Sequence, residues 1–523
     1  MDAPQTGHPR RWTILGVLVV SLLVVVLDNT ILNVAMKTIA DPVHGLGASQ
    51  SQLEWAINSY TLVFAGLLFT AGILGDRLGR RLVLLGGMAL FGLASLASAY
   101  AQSPAQLIGA RALMGIGGAA ILPVTLSIIA NVFEPRERGK AIGVWAGAVG
   151  LAVAIGPVVG GALLEHFWWG SVFLINVPIV IAGIIGMIAV VPESKDPSPG
   201  RIDLPGVLLS IAGLGVFVYG IITGGQHGDW GQPVVWGSVL GGLALLAAFI
   251  WYEAHTEFPA LDVRLFRDPR FSAAVGAVGL IFFAAMGVMF ASAFYLQLVR
   301  GYSPLQTGLL FLPFAAAQLI FAPRSAAAVA RYGPKVVCAV GLGISAIALT
   351  VFVFLTATTP IWVLAVAFFF QGVGMANVIP PTAEAVISSV PREKAGVGSA
   401  VNNTIRQIGG ALGVAVLGSV LSGVYRGQIE DKLGALPPDA RAAAAESVSA
   451  TYTAAERAGA AGAGLIEPAN HAFVLAMHWA AAGSAVAAVL ATLAVIRWLP
   501  RQSAPHPSAV VEPSFDDALV EVS

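Results

Sequence analysis

Four ionisable side chains interrupt long apolar runs in this 523-residue sequence: Asp28, Arg111, Glu384 and Arg406. A charge inside a bilayer-length apolar helix costs a few kcal/mol or more, so each is a candidate for function. At ~1.5 Å rise per residue, Asp28 lies about 24 Å from one end of its run. Arg111 lies about 10 Å into a run that would cross in the opposite sense, so the two reach similar depth. A carboxylate and a guanidinium at one depth can pair, and exchange between pairing and protonation takes up or releases a proton. A static ion pair that orders two helices is the structural alternative. Glu384 and Arg406 (about 13 Å into its run) could form a second pair, with snorkelling to the interface as the plain alternative. Asn33, Asn58, Tyr60, Gln297, Gln371, Asn402 and Gln407 are polar positions able to line a cavity or to bond between helices. His471 and His478 open the last run, where an interfacial histidine is the simpler reading.

The elements that must position these groups follow from composition. Charged residues are 11% of the chain and apolar residues 57%, against about 25% charged in soluble domains. Such a chain cannot cover itself with polar surface and belongs in lipid. Fourteen apolar runs stand out: 12–36, 55–75, 82–102, 104–131, 141–164, 167–191, 204–223, 232–252, 271–298, 303–323, 336–358, 361–385, 397–423 and 471–497. Their length and lack of strict alternation exclude an outer-membrane barrel and define an all-α polytopic membrane protein. Of the 28 Lys and Arg, 20 fall in the termini and the loops on their side, six in the opposite loops and two within runs. By the positive-inside rule the expectation is a multi-pass protein of the cell (inner or plasma) membrane with both termini cytoplasmic. Residues 1–11 read as a basic cytoplasmic segment before an uncleaved first helix. A single cysteine, Cys338, excludes an internal disulfide framework, and zero formal net charge gives no case for nucleic acid.

Gly72–Arg81 reads G-I-L-G-D-R-L-G-R-R between two such runs. Gly75 and Gly79 permit a tight turn, Arg77, Arg80 and Arg81 mark a membrane-face hairpin, and Asp76 can cap the next helix or pair with an arginine. An internal repeat is also legible. Gly115–Gly139 (G-I-G-G-A-A-I-L-P-V-T, then E-P-R-E-R-G) matches Gly372–Gly396 (G-V-G-M-A-N-V-I-P-P-T, then V-P-R-E-K-A-G). Arg77–Arg81 has a weaker echo in Arg331–Lys335. The expected organisation is a six-helix bundle over 12–191, two inserted helices with linkers over 192–270, and a second six-helix bundle over 271–500. Within the second bundle, 427–468 is too polar to span and is expected as amphipathic helices on the outer face. Residues 501–523, rich in Pro, Ser and acids, are expected to be a disordered cytoplasmic tail.

The pattern G-x-x-x-D-R-x-G-R-R (Gly72, Asp76, Arg77, Gly79, Arg80, Arg81) resembles the loop between helices 2 and 3 of the major facilitator superfamily. Gly150, Gly156, Pro157, Gly160 and Gly161 in the fifth run resemble the G-P-x-x-G-G motif of its antiporter branch. Leu27–Ala35, L-D-N-T-I-L-N-V-A, is similar to the signature of the 14-helix drug:proton antiporters, departing where Met36 and Lys37 replace the usual L-P. Arg111 and Gly115 match that branch's R-x-x-x-G, and Asn402–Gly413 resembles its thirteenth helix. The resemblance implies a major facilitator fold with 14 transmembrane helices, Arg111 coupled to the proton, and a cytoplasmic gating loop at Asp76 and its arginines.

The expected function is a proton-driven exporter of amphipathic organic compounds such as antibiotics, dyes or biocides, with protons as coupling ion, no other cofactor and no metal. Asp28 is the expected proton-titrating carboxylate and Arg111 its partner. The expected partners are the small-molecule substrate and the bilayer, with the chain acting as a monomer. A dedicated exporter of one endogenous metabolite, antibiotic or lipid shares every feature. A proton symporter is disfavoured by the G-P-V-V-G-G stretch. No nucleophile cluster or soluble catalytic domain supports an enzyme, and no G-x-x-x-x-G-K-[ST] loop supports an ATP-driven pump.

Overall fold

The computed structural model describes residues 8–195, 203–227, 230–257, 259, 261, 263–388, 395–459 and 462–499. Among these, every regular element is helical. The chain opens with α1 (Arg11–Ala40), α2 (Gln50–Leu78), α3 (Arg80–Ala99), α4 (Pro104–Val132) and α5 (Pro135–His166). A single turn, α6 (Ser171–Leu174), leads into α7 (Asn176–Val190), and α8 (Leu204–His227) and α9 (Pro233–His255) follow. The later part holds α10 (Pro269–Phe294), α11 (Pro304–Leu310), α12 (Leu312–Tyr332), α13 (Pro334–Val351), α14 (Ile361–Ala376), α15 (Ile379–Ser388) and α16 (Ala395–Ile429). Two short helices, α17 (Pro438–Glu446) and α18 (Val448–Ala458), precede α19 (Ile466–Trp498).

Twelve stretches among the described residues are long and apolar enough to cross a bilayer, and α2, bent by 53° between Leu68 and Thr70, makes a thirteenth. The remaining expected run, 141–164, falls within α5, whose apolar stretch Leu151–His166 is shorter than the others. Charged Glu137, Arg138 and Lys140 fill its first turns. The all-α polytopic architecture is as the composition requires, since in lipid a helix is the simplest way to satisfy its own backbone.

Helix ends are written in the sequence. Ser49 and Gln52 form a capping box at α2: the Ser49 hydroxyl accepts from the Gln52 N–H (3.4 Å) and the Gln52 carbonyl oxygen from the Ser49 N–H (2.9 Å). Ser303 and Gln306 repeat it at α11 (3.2 and 3.0 Å). Each satisfies two otherwise orphaned backbone or side-chain groups. Gly79 (φ 124°) ends α2, and Gly333 (φ 81°) ends α12, both in a backbone region that favours glycine. Box and glycine thus mark the start and finish of corresponding spans in the two repeats.

In the first group α4 packs between α2 and α3, and α1 against α5 and α7. In the later group α10 packs on α16 and α19, α12 on α14, and α13 on α14 and α19. α8 bridges α2 and α16, while α9 rests mainly on α8. Trp236, Leu240, Ile250 and Trp251 of α9 are exposed, a surface suited to lipid.

The two groups are tied at one end. Lys37 Nζ donates to the Gln297 carbonyl (3.0 Å), Gln297 Nε2 to the Val34 carbonyl (2.9 Å), and the Ser303 hydroxyl to Glu165 (3.4 Å). Gln297 sits in a π-helical turn, Tyr295–Val299. The chain between α16 and α19 caps this end. Tyr452 donates to the Leu298 carbonyl (3.1 Å) and meets Asn470 Oδ1 (2.8 Å), while Tyr425 meets Thr451 (2.6 Å). A cleft of about 480 Å³ lies between α17–α18 and the turn after α1. The polar segment 427–468 is therefore largely helical, with α16 running on to Ile429. The acidic tail from 501, and Pro391, Arg392, Glu393 and Lys394 of the second P-R-E triplet, lie outside the described residues.

Candidate functional site

Small residues on α4 create the site. Gly115 lies against the Tyr60 backbone and Gly118 against the Tyr60 hydroxyl and the Phe64 ring, where a β-carbon would crowd them. α2 therefore approaches closely and lays the Tyr60 ring 4.3 Å from the Arg111 guanidinium. Arg111 Nη1 donates to Asp28 Oδ2 in an ion pair in which both residues are no more than 2% exposed. Arg111 Nε donates to the Ala56 carbonyl (3.1 Å), and the Phe173 ring lies 5.9 Å from the guanidinium. The second carboxylate oxygen of Asp28 accepts from Asn176 Nδ2 (3.2 Å), which also reaches Ser95 Oγ (3.0 Å). Ser95 donates in turn to the Phe173 carbonyl (2.8 Å). Asn29 donates to the Tyr60 hydroxyl (3.2 Å). Asp28 and Arg111, 83 residues apart, thus meet as their depths implied, on α1 and α4 and inside a cage from α2, α3 and α7.

Sequence reading missed Asn176, Ser95 and Asn29. Asn176 opens α7 within I-N-V-P, and a polar residue inside an apolar run was the available signal.

The glycine-proline stretch of α5 touches this site and the tie between the groups at once. Gly156 lies on Thr30 and Leu27, beside Asp28, and Gly160 lies on Ile31. One turn on, Gly161 meets the backbone of Pro304 and Leu305, and Gly308 meets the Pro157 carbonyl. A β-carbon at any of these would collide. Pro157 stands inside the helix, and Gly150 precedes it by about two turns.

At the opposite end the charged turn is a compact capped junction. Arg80 donates to Asp76 through Nε (2.9 Å) and Nη2 (2.8 Å). Gly72 and Gly75 lie against Pro123 and Val124 of α4. Glu193 was not anticipated. Its carboxylate accepts from the backbone N–H of Arg81 (3.0 Å) and Leu82 (3.2 Å), a helix N-terminus where negative charge is favoured. A side chain at Gly79 would strike that carboxylate. Arg81 Nη1 donates to the Val191 carbonyl (3.1 Å), and Arg77 sits in the last turn of α2. Nearby, Arg11 Nε donates to Glu137 (2.5 Å). That bond, more than the surrounding charges, holds the Glu137 carboxyl below the usual range.

The second expected pair is not brought together. Glu384 is exposed on α15, whereas Arg406 lies over the Phe282 ring (4.6 Å) with Nη1 3.4 Å from Asn403 Oδ1. Of the polar cavity positions, Asn33 bonds within its helix to the Asn29 carbonyl (3.2 Å), and Gln407 is half-buried. Asn58, Gln371 and Asn402 are buried with amide atoms lacking a partner. Gln371 is set among Phe311, Phe314, Phe352, Phe368 and Met286. His478 Nε2 meets the Leu355 carbonyl (2.6 Å), and His471 is exposed.

Two helical groups tied at one end, with a buried ion pair in one of them, define a polytopic membrane transporter. The chain belongs to the major facilitator superfamily, whose family model matches residues 18–414. It is 35% identical over 491 residues to the multidrug efflux pump LfrA of Mycolicibacterium smegmatis, covering 93% of this chain and 94% of that one. It is 34% identical over 492 residues to the methyl viologen resistance protein SmvA of Salmonella typhimurium, covering 94% and 98%. Among solved structures, a bacterial homologue of the lysosomal transporter Spinster, inward-facing and unoccupied, aligns with a TM-score of 0.67 at 18% identity. That alignment covers 96% of this chain and 100% of the other, and shows the fold.

Proposed function

We propose that this chain exports amphipathic organic compounds from the cell in exchange for protons. The observation that carries the reading is the Asp28–Arg111 pair, sealed in the first helical group one turn from the α5 glycines that meet the second. The resemblance to drug efflux and resistance proteins along more than nine-tenths of the chain supports the direction and the substrate class. In this reading the tied, loop-capped end faces outward, and the arginine-rich end and both termini are cytoplasmic, in agreement with the positive-inside distribution.

Protonation of Asp28 removes the charge that Arg111 Nη1 bonds, leaving the guanidinium to the Ala56 carbonyl and the faces of Tyr60 and Phe173. α1 is then free to move against α4 and, through Gly156 and Gly160, against α5. A proton taken from outside and released inside changes the packing of the helices that also carry the contact between the groups. Two conformations that bind this proton differently are what coupling requires. Asp76 and its arginines latch the cytoplasmic end when the carrier opens outward. Arg406 and Glu384 are secondary proton groups that meet only if α15 moves against α16.

The test is dye export from a pump-deficient bacterium expressing the chain or its Asp28→Asn form, with and without a protonophore. Export that stops in both cases establishes the reading. Export that persists in Asp28→Asn cells removes Asp28 from the coupling, and persistence with the protonophore removes the proton.

A further inference from the structure

Besides Asp28, a buried carboxylate at the other face of α2 belongs to neither the ion pair nor the charged turn. Glu54, in the second turn of α2, is 2% exposed. It stands in the seam where α2 of the first group, the bridging α8 and α16 of the second group converge. Gly418 of α16 faces its carboxylate so closely that a β-carbon there would overlap it. A small cavity beside it is lined by Gln50 of its own helix, Ile222 of α8, Ser419 and Ser422 of α16, and Glu446 of α17. The Ser419 hydroxyl is spent on the Ile221 carbonyl (2.9 Å). Among the described residues no lysine, arginine or histidine stands against Glu54, and the one other titratable group lining the cavity, Glu446, is also an acid. The seam is sealed below by Leu62, Val218, Ile222, Ala411 and Ala415.

A further polar group in the seam is unsatisfied: both amide atoms of Asn58, one turn beyond Glu54 on α2, are buried without a partner. The carboxyl of Glu54 itself meets the neutral Gln50 amide, one turn before it on the same helix. A carboxylate held by one neutral amide and no counter-charge costs more to bury than to neutralise, and the unpaired Asn58 amide adds to the cost of a shut seam. Separating α2 from α16 would give all three groups to water.

We propose that Glu54 is a second proton-binding site of this transporter, neutral while the α2–α16 seam is shut and ionised when the seam parts. On opening, the carboxyl O–H bond breaks and its proton passes to water entering from the loop-capped end; closure takes a proton back from that side. The closed seam holds the extra proton, so acid at that end stabilises closure and a rising pH there favours opening. The inference rests on the exporter reading only in assigning that end to the outside.

Site-directed labelling tests it. In a Cys338→Ala background, Ser422→Cys places a thiol in the same cavity, and a membrane-impermeant maleimide reports its exposure on intact cells. Labelling is normalised at each pH to that of the unfolded protein. The expected rate rises with external pH by up to about tenfold per unit over part of the range, as one linked proton allows. Glu54→Gln should flatten that slope, and Glu54→Asp should keep it with a shifted midpoint. A native chain without a slope, or a Glu54→Gln chain with the native slope, overturns the proposal. If Glu54→Gln does not reach the membrane, an unchanged midpoint in Glu54→Asp overturns it instead. Labelling needs no substrate, so its outcome is separable from that of dye export.

Discussion

The two repeats place opposite chemistries at matching positions. Aligning Gly115 with Gly372 sets Phe368 of α14 where Arg111 stands on α4, and Gln371 where Met114 stands. The first repeat holds an ion pair caged by Asn176, Ser95 and Tyr60, with both charged groups hydrogen-bonded though Asn176 Oδ1 has no partner. The second holds Phe311, Phe314, Phe352 and Phe368 around an amide that bonds to nothing. A shared backbone plan thus carries charge on one side and an adaptable apolar pocket on the other. Carriers that exchange an ion for a greasy molecule need both, and a duplicated unit lets each half specialise.

The sharpest way to break the contrast is to remove charge from the first repeat. Arg111→Ala leaves Asp28 in a sealed site without its cation, so that it must stay charged or take up a proton there, a loss of about 3–5 kcal/mol for a buried pair that loses one partner. Thermal unfolding in detergent should fall sharply and export should vanish. Arg111→Lys should not restore export, because one ammonium cannot serve Asp28 and the Ala56 carbonyl with the same planar fork. Asp28→Asn, which keeps the shape, should cost less stability while abolishing protonophore-sensitive export. Equal stability losses in Arg111→Ala and Asp28→Asn would mean that the pair is structural scaffolding alone.

Next in size is the junction where the repeats touch. Gly161→Leu forces a side chain into the Pro304–Leu305 backbone, with an overpacking cost of about 1–3 kcal/mol in the closed arrangement. That shifts the balance of closed and open forms by roughly 5- to 150-fold. Accessibility of a thiol at Ser303→Cys in a Cys338→Ala chain should rise accordingly, and export should fall. Unchanged accessibility would show that α5 and α11 do not form the closure.

The third test addresses the apolar pocket. Gln371→Leu removes two unsatisfied amide atoms, so the melting temperature should hold or rise, by an amount corresponding to about 1–3 kcal/mol at most. If the pocket receives substrate, export of Nile red, an uncharged planar dye with a carbonyl, should drop several-fold while a cationic dye is affected less. A lowered melting temperature would mean that the amide is satisfied by ordered water instead.

How much of this was legible in the sequence depended on whether the signal was local. Asp28 and Arg111 stood out because each breaks an apolar run, and helical rise alone gave their common depth. The capped turn at Asp76 and the glycine face of α5 were readable as motifs, since close approach requires small residues wherever they fall. Glu193 was not, because its partners Arg81 and Leu82 lie more than 110 residues away and nothing in V-P-E-S-K announces a cap. Glu54 escaped because its polar neighbours Ser49–Gln52 resemble the end of a loop, whereas the capping box starts α2 at Gln50. Glu384 and Arg406 failed to pair for a related reason. Depth fixes how far along a helix a residue lies, not which way it faces, and α15 turns Glu384 outward.

The smallest effect should come at the arginine-rich end, where Arg11 of α1 bonds Glu137 at the start of α5. Both side chains are partly exposed, so the pair is screened and contributes little. Its pH dependence has a definite sign. The hydrogen bond from Arg11 lowers the folded-state Glu137 pKa, so its stabilisation is present above the ordinary glutamate value near 4.5 and is lost as pH falls through the depressed folded value. Glu137→Gln should therefore shift the melting temperature only slightly at neutral pH. The difference from the native chain should disappear in acid and shrink with salt. Yet the bond joins the two helices that flank the Asp28 site, α1 at its first residue and α5 at its third. If Glu137→Gln reduced export well beyond its effect on stability, this junction would have to be part of the moving machinery, and charge in the first repeat would govern its arginine-rich end as well as its centre.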